Sequence, residues 1–367
     1  MTDFAPDPRL RETILQCCVP PLARPADFIT AISPGDQMLL HSLATHGDFA
    51  TAASQYFNVA LQQHALARQL LDRLFPGDVP HVLDFACGFG RFLRFAVADL
   101  PRDHLSASEL QADALRFVES RFAVPTFASC ADPADFHPAR SFDFIWVVSL
   151  FSHLPEPLFH AWLAKLAGML KPHGVLAFSV RGDKLLAADA ARPASGISYS
   201  RNSENADLDG DIYGTTYVSD AFVRGAIEQA CGKQAATACI ARGLANEQDL
   251  WLISPRREDL GCTAGVRRGV WGWLDRKQRG AAQLELEGWA GSLDDDAVDE
   301  VVVTIDDTKR SVRTGIDRPD VAVAFGEPRL ATAGWRLVAP APEHAAWVEV
   351  IAQSGSGQRA LLYAGEI

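Results

Sequence analysis

HVLDFACGFGRFLR, residues 81–94, decides how the rest of the chain is read. An apolar run that carries Asp84 predicts a buried strand. Gly88 and Gly90 predict a tight turn, and Arg91–Ala98 predicts a helix that starts at once. Glycine is needed where the backbone passes close to a ligand and takes conformations barred to larger residues. A helix start placed there offers unpaired N–H groups and a positive dipole end to an anion or carboxylate. The dinucleotide fingerprint G-x-G-x-x-G wants a third glycine, and this chain has Leu93 in that place.

Outward from that turn, strands and helices alternate. Leu105–Glu109, Pro125–Ser129, Phe142–Ser149 and Val175–Val180 read as strands; Ala112–Arg121 and Pro157–Leu170 read as helices, the second stopped by Lys171-Pro172-His173-Gly174. Apolar strands separated by helices predict a doubly wound, mostly parallel α/β sheet with an antiparallel strand at one edge. Upstream, Asp36–Phe75 has helical periodicity behind a proline-rich arm. Downstream, residues 181–215 form a long polar insertion, a length expected of a segment that covers a site. Val218–Ala230 reads as a helix, and segments near Ala235–Ala241 and Asp249–Ile253 read as closing strands. Beyond a linker at Ser254–Val266 the runs are β-branched or alternating, with no convincing helix, which predicts an all-β, sandwich-like domain. The expected division is 1–75 (arm and helices), 76–256 (core) and 267–367 (β domain).

Composition narrows the function classes. With 48% hydrophobic and 22% charged residues, the 367-residue chain can bury more than one core. A formal net charge of −12 argues against a nucleic-acid partner, which needs basic groups to neutralise phosphates. The seven cysteines contain no CxxC pair, so reduced, buried thiols are expected rather than disulfides or a structural zinc. No HxxxH, HExxH or acidic cluster at metal spacing is present, and Asp294-Asp295-Asp296 reads as a solvated turn. The N-terminal stretch MTDFAPDPRLRET is unlike a signal peptide, and the apolar run Phe142–Phe151 is too short to span a bilayer; a cytoplasmic location is expected.

Asp84-x-x-x-Gly88-x-Gly90, followed about twenty residues on by Glu109, resembles the motif of class I S-adenosylmethionine-dependent methyltransferases. The likeness extends through SLFSHLPE (149–156), KPHGVLAFS (171–179), RNSENADLDGDIYGTTYVS (201–219) and ARGLANEQDLWLI (241–253), so that it covers about residues 50–254. It implies S-adenosyl-L-methionine as cofactor, the glycine turn against its methionyl part, Asp84 at its amino end and Glu109 at the ribose hydroxyls. It further implies cofactor contacts from Tyr56, Ala86, Arg91, Asp132 and Ser149. Tyr56-Phe57 resembles the aromatic motif that closes over the cofactor, and core packing is its alternative reading; Asp132 beside Pro133 is equally a turn residue.

Methyl transfer to a hydroxyl benefits from a positioned base. His153 follows the fourth core strand, at the ligand-binding edge of such sheets, and its ordinary pKa suits proton abstraction. Its alternative is a packing or capping histidine. Arg181, Ser203, Glu204, Tyr213 and Tyr217 in and beside the insertion are candidates for contact with a small-molecule or saccharide acceptor. Trp271, Trp273, Trp289, Trp335 and Trp347 fit saccharide stacking or core packing, and the β domain resembles one found beside glycan-modifying transferases; homodimerisation is an equal alternative for it. Against O-methylation stand a non-catalytic glycan-binding protein with a degenerate cofactor fold and an NAD-dependent oxidoreductase, the latter disfavoured by Leu93.

Overall fold

The apolar runs around the glycine turn become the middle of a 7-stranded sheet. The structure is a computed structural model that describes residues 3–186, 193–202, 208–294, 297–298 and 300–367. Three helices come first: α1 (Pro8–Cys17), α2 (Gln37–His46) and α3 (Phe49–Leu74). The core then runs β1 (Val82–Phe85), α4 (Leu93–Asp99), β2 (Leu105–Glu109), α5 (Ala112–Phe122), β3 (Thr126–Ala128) and β4 (Phe142–Val147). It continues with α6 (Glu156–Gly168), β5 (Leu170–Val180), β6 (Ile197–Ser200), β7 (Thr215–Val218), α7 (Asp220–Cys231), β8 (Ala236–Leu244) and β9 (Gln248–Ser254). The sheet order is β3-β2-β1-β4-β5-β9-β8. Strands β1 to β5 are parallel, while β9 runs antiparallel to both β5 and β8.

Alternate residues of each central strand serve opposite faces. Val82, Leu105, Phe144, Trp146, Val175 and Ala177 pack under α4, α5 and the end of α3. Leu83, Phe85, Ile145, Val147, Leu176 and Phe178 pack under α6 and α7. Burial on both faces is why these strands read as continuous apolar runs. Strand β1 pairs with β2 on one side and β4 on the other, Val82 lying opposite both Leu105 and Phe144. The chain therefore reverses its winding there. The crevice beyond the carboxyl ends of β1 and β4 is the ligand-binding switch point of such a sheet.

Local chemistry moves several boundaries. The helix after the glycine turn starts at Leu93, not at Arg91. Gly88 and Gly90 have φ of 52° and 75°, and the turn bond from Gly90 N to Cys87 O (3.0 Å) holds the chain outside the helix until then. Lys171–Gly174 does not stop a helix; it lies within β5. Phe142 pairs with Leu170 and Phe144 with Val175, so Pro172 sits in a bulge, where a missing N–H costs no ladder bond. Strand β6, inside the insertion, pairs antiparallel with β7 at its end.

The chain divides into two compact units: Asp27–Ile29 with Leu66–Val266, and Met1–Ala26, Thr30–Ala65 with Arg267–Ile367. This division places the first helices with the C-terminal strands, where the sequence reading had three successive segments. In that second unit lie β10 (Val270–Arg279), β11 (Gln283–Ser292), β12 (Glu300–Ile305), β13 (Thr308–Val312), α8 (Pro319–Phe325), β14 (Gly334–Pro340), β15 (Trp347–Gln353) and β16 (Arg359–Glu366). Two antiparallel sheets, β10-β11-β14 and β13-β12-β15-β16, share one core. Leu284, Leu286, Trp335 and Leu337 come from the first; Val301, Val303, Val348, Val350 and Tyr363 come from the second. This is a sandwich.

Helix α8 overturns the expectation of no helix in the tail. Pro319 at its first position, Asp320 in the first turn and Gly326 at its end (φ 58°) are ordinary start and stop signals. Four of the five tryptophans, Trp271, Trp289, Trp335 and Trp347, are buried, and Trp273 is half-buried against the Trp271 ring at 5.0 Å. Asp294 is also reassigned. Rather than standing in a solvated turn, it accepts from Arg268 Nε (3.1 Å) and from Gly269 N (2.9 Å), with its side chain only 10% exposed; Asp295 and Asp296 lie outside the described residues.

Candidate active site

Two carboxylates from adjacent strands meet at the switch point. Glu109 ends β2 and ties down the glycine turn: its Oε2 accepts from Gly88 N (2.8 Å). Its Oε1 accepts from Leu110 N (2.7 Å) and Gln111 N (3.0 Å). Burial raises its carboxyl above the ordinary range, against the pull of those three N–H groups. An ionised carboxylate offers about four lone-pair positions, so three amides leave one for a ligand hydroxyl. Gly88 is needed for its φ of 52°, and a Cβ there would meet nothing within 4 Å, so the turn faces open space. At Gly90 a Cβ would meet the Phe122 ring at 2.5 Å; that glycine serves the packing of α5.

Asp84, third residue of β1, is 4% exposed, and its Oδ2 has no hydrogen-bond partner among the described residues. Burial first, then the charge of Glu109, pushes its carboxyl well above the usual range; Arg91 opposes the shift. A buried carboxylate oxygen with an unfilled valence suits a cationic amine. The pair thus fits the amino end and the ribose of an S-adenosyl group. The same burial, with both carboxylates beside it, pushes the Cys87 thiol up, so it is no nucleophile.

On the other side of the crevice, Ser149 takes a left-handed φ of 60° just past β4. Its hydroxyl accepts from Gln248 Nε2 (3.0 Å), and its N–H donates to Ser179 Oγ (2.8 Å). His153 follows, 1% exposed. Its Nδ1 lies 2.6 Å from Gly214 O, and its ring stacks on Tyr213 at 4.3 Å and 10°. A carbonyl only accepts, so Nδ1 carries a hydrogen, and in a neutral ring the lone pair is on Nε2. Gly214 N returns a bond to His153 O (2.8 Å), Thr216 N donates to Ser152 O (2.8 Å), and Thr216 Oγ1 donates to Leu154 O (2.6 Å). Residues 214–216 are therefore laced to 152–154.

The remaining expected residues fall differently. Ala86 turns the chain at the end of β1 with φ 56°. Arg91 is half-buried and acts on Asp84 electrostatically. Arg181 and Tyr217 stand half-buried by β7: Arg181 O accepts from Val218 N (2.9 Å), and Tyr217 pairs with Ser198. Asp132 is exposed and caps a short turn, accepting from Ala134 N (2.8 Å), which is its turn-residue reading. Tyr56 lies in the second unit, buried, with its hydroxyl donating to Asp36 Oδ2 (2.8 Å). Ser203 and Glu204 lie outside the described residues. Ser179, Gln248 and Gly214 were missed; a serine inside the apolar run of β5 was the one signal available. Among the described residues no group of three or more His, Cys, Asp or Glu could hold a metal ion, and no helix is long and apolar enough to cross a membrane.

Comparison with known proteins adds a family for the first half of the core. Residues 82–174 match the family described as a methyltransferase domain. No curated protein matches the chain. Among solved structures, the chain is similar to DhpI in a complex with SAH (17% identity, TM-score 0.38, covering 60% of this chain and 95% of that one). It is also similar to Streptomyces venezuelae DesVI (18%, 0.40, covering 54% and 92%) and to the glycopeptide N-methyltransferase MtfA (16%, 0.37, covering 52% and 89%). The stretch that matches, from Val82 to Gly174, supplies the glycine turn, both carboxylates and His153.

Proposed function

We propose that this protein is an S-adenosylmethionine-dependent methyltransferase that methylates a hydroxyl on a sugar or natural product, working in the cytoplasm. The observation that carries the reading is the unpartnered Oδ2 of buried Asp84 beside a glycine turn held by Glu109. S-adenosylmethionine, when bound, supplies an electrophilic methyl group on a sulfonium centre. Asp84 would take its amine and Glu109 one ribose hydroxyl, with Arg91 offsetting the paired negative charge.

The protein's remaining task is to align an acceptor and remove its proton. His153 is the base in this reading. The Gly214 carbonyl fixes its tautomer with Nε2 as acceptor, and burial keeps bulk water from competing for that nitrogen. Arg181 and Tyr217, half-buried beside His153's segment of chain, contact the acceptor in this reading. Tyr213, whose ring is stacked on His153, lies at the boundary between acceptor and base.

A thermal-shift titration of the whole chain with S-adenosylmethionine, S-adenosylhomocysteine and NAD tests the cofactor. A ligand at a hundred times its Kd adds about 2.7 kcal/mol of stability. Stabilisation by both S-adenosyl compounds is expected; stabilisation by NAD alone overturns the reading.

A further inference from the structure

Both lips of the switch crevice turn through the left-handed region at non-glycine residues. Phe85 and Val147 are register partners at the ends of β1 and β4. Just beyond them stand Ala86 (φ 56°) and Ser149 (φ 60°). L-residues avoid this conformation, and a serine held there must be over-determined by its surroundings.

Around Ser149 the surroundings close into a ring. Ser149 N donates to Ser179 Oγ (2.8 Å), Ser179 Oγ donates to Gln248 Oε1 (2.6 Å), and Gln248 Nε2 donates back to Ser149 Oγ (3.0 Å). The Ser149 carbonyl is held too, accepting from Ser152 Oγ (3.0 Å). Ser179 is fully buried and Ser149 half-buried. The ring spans the ends of β4, β5 and β9, and each donor in it is used once. Ser149 Oγ accepts from Gln248 and keeps its own hydrogen to donate.

Across the sheet the order of strand ends is β2 with Glu109, β1 with Asp84, β4 leading to Ser149, β5 with Ser179, then β9 with Gln248. Ser149 is thus next in line after the two carboxylates. We propose that Ser179 and Gln248 are positioning residues that lock Ser149 in its left-handed turn, holding the β4 lip back from the crevice and presenting the Ser149 hydroxyl to the S-adenosyl ligand. The proposal rests on the cofactor reading above.

Calorimetric titration with S-adenosylhomocysteine tests it in a double-mutant cycle. Gln248→Leu should weaken binding about tenfold in the otherwise unchanged chain. In a Ser149→Gly background, where left-handed backbone needs no support, the same change should cost less than about twofold. Ser179→Ala, a smaller disturbance of the core, should repeat the pattern if Gln248→Leu folds poorly. Equal losses in both backgrounds, or no loss in either, overturn the proposal. An unchanged chain that fails to bind S-adenosylhomocysteine overturns the cofactor reading beneath it, a result distinct from both.

Discussion

The two compact units differ in how they treat their most buried carboxylates. In the C-terminal sandwich several carboxylates meet an arginine: Asp294 with Arg268 (3.1 Å), Asp275 with Arg318 (2.6 Å), Glu285 with Arg336 (3.1 Å). Its large aromatic rings are spent on the core, with Trp335 fully buried. In the α/β core, by contrast, Asp84 and Glu109 are buried side by side, and among the described residues Asp84 Oδ2 has no hydrogen-bond partner. Such a pair destabilises the folded chain unless something else uses it. The contrast teaches that one unit is built for its own stability, whereas the other gives up some stability at the place where a ligand would repay it.

Substitutions can break or sharpen that contrast. His153→Ala should lower turnover by about 10²–10⁴-fold, as loss of a general base does, while S-adenosylhomocysteine affinity stays within a few-fold; unchanged turnover removes His153 as the base. Trp335→Ala in the sandwich should cost about 3–5 kcal/mol in chemical denaturation, from the cavity it leaves. Cofactor affinity measured well below the transition should not move.

Asp84→Asn should weaken S-adenosylhomocysteine binding about a hundredfold, equivalent to about 2.7 kcal/mol. The same variant should melt at a higher temperature than the unchanged chain at neutral pH. The sign follows from the raised carboxyl: the folded state holds its proton more tightly than the unfolded chain, whose ordinary value is 3.8. That contribution is complete below the ordinary carboxylate range and is lost as pH rises through the raised value. The difference in Tm should therefore narrow as pH falls toward that range. Asp294→Ala, which breaks a largely buried ion pair in the sandwich, should cost about 1–3 kcal/mol of stability and leave ligand affinity untouched.

What could be read from sequence was what short spacing controls. Asp84, Gly88, Gly90 and Glu109 sit in two consecutive strand–turn units, and the chemistry of each is local. The bond from the Tyr56 hydroxyl to Asp36, twenty residues earlier, is a contact that no local pattern announces. Asp132 went the other way: its capping of the next turn was a local reading, and that one holds. Ser179 and Gln248 could not be found. They are 69 residues apart, and only the antiparallel pairing of β5 with β9 brings them together. In the tail, alternation located most strands, but the β-branched Val321 and Val323 masked α8, whose proline and glycine signals were the better guide.

The most direct test is a crystal structure of the chain with S-adenosylhomocysteine. The expected result places the ligand's amine against Asp84 and a ribose hydroxyl on Glu109, with Gly88 N still bonded to that carboxylate. A crevice filled by side chains, or a ligand bound elsewhere with the Asp84 oxygen still unpartnered, would contradict it.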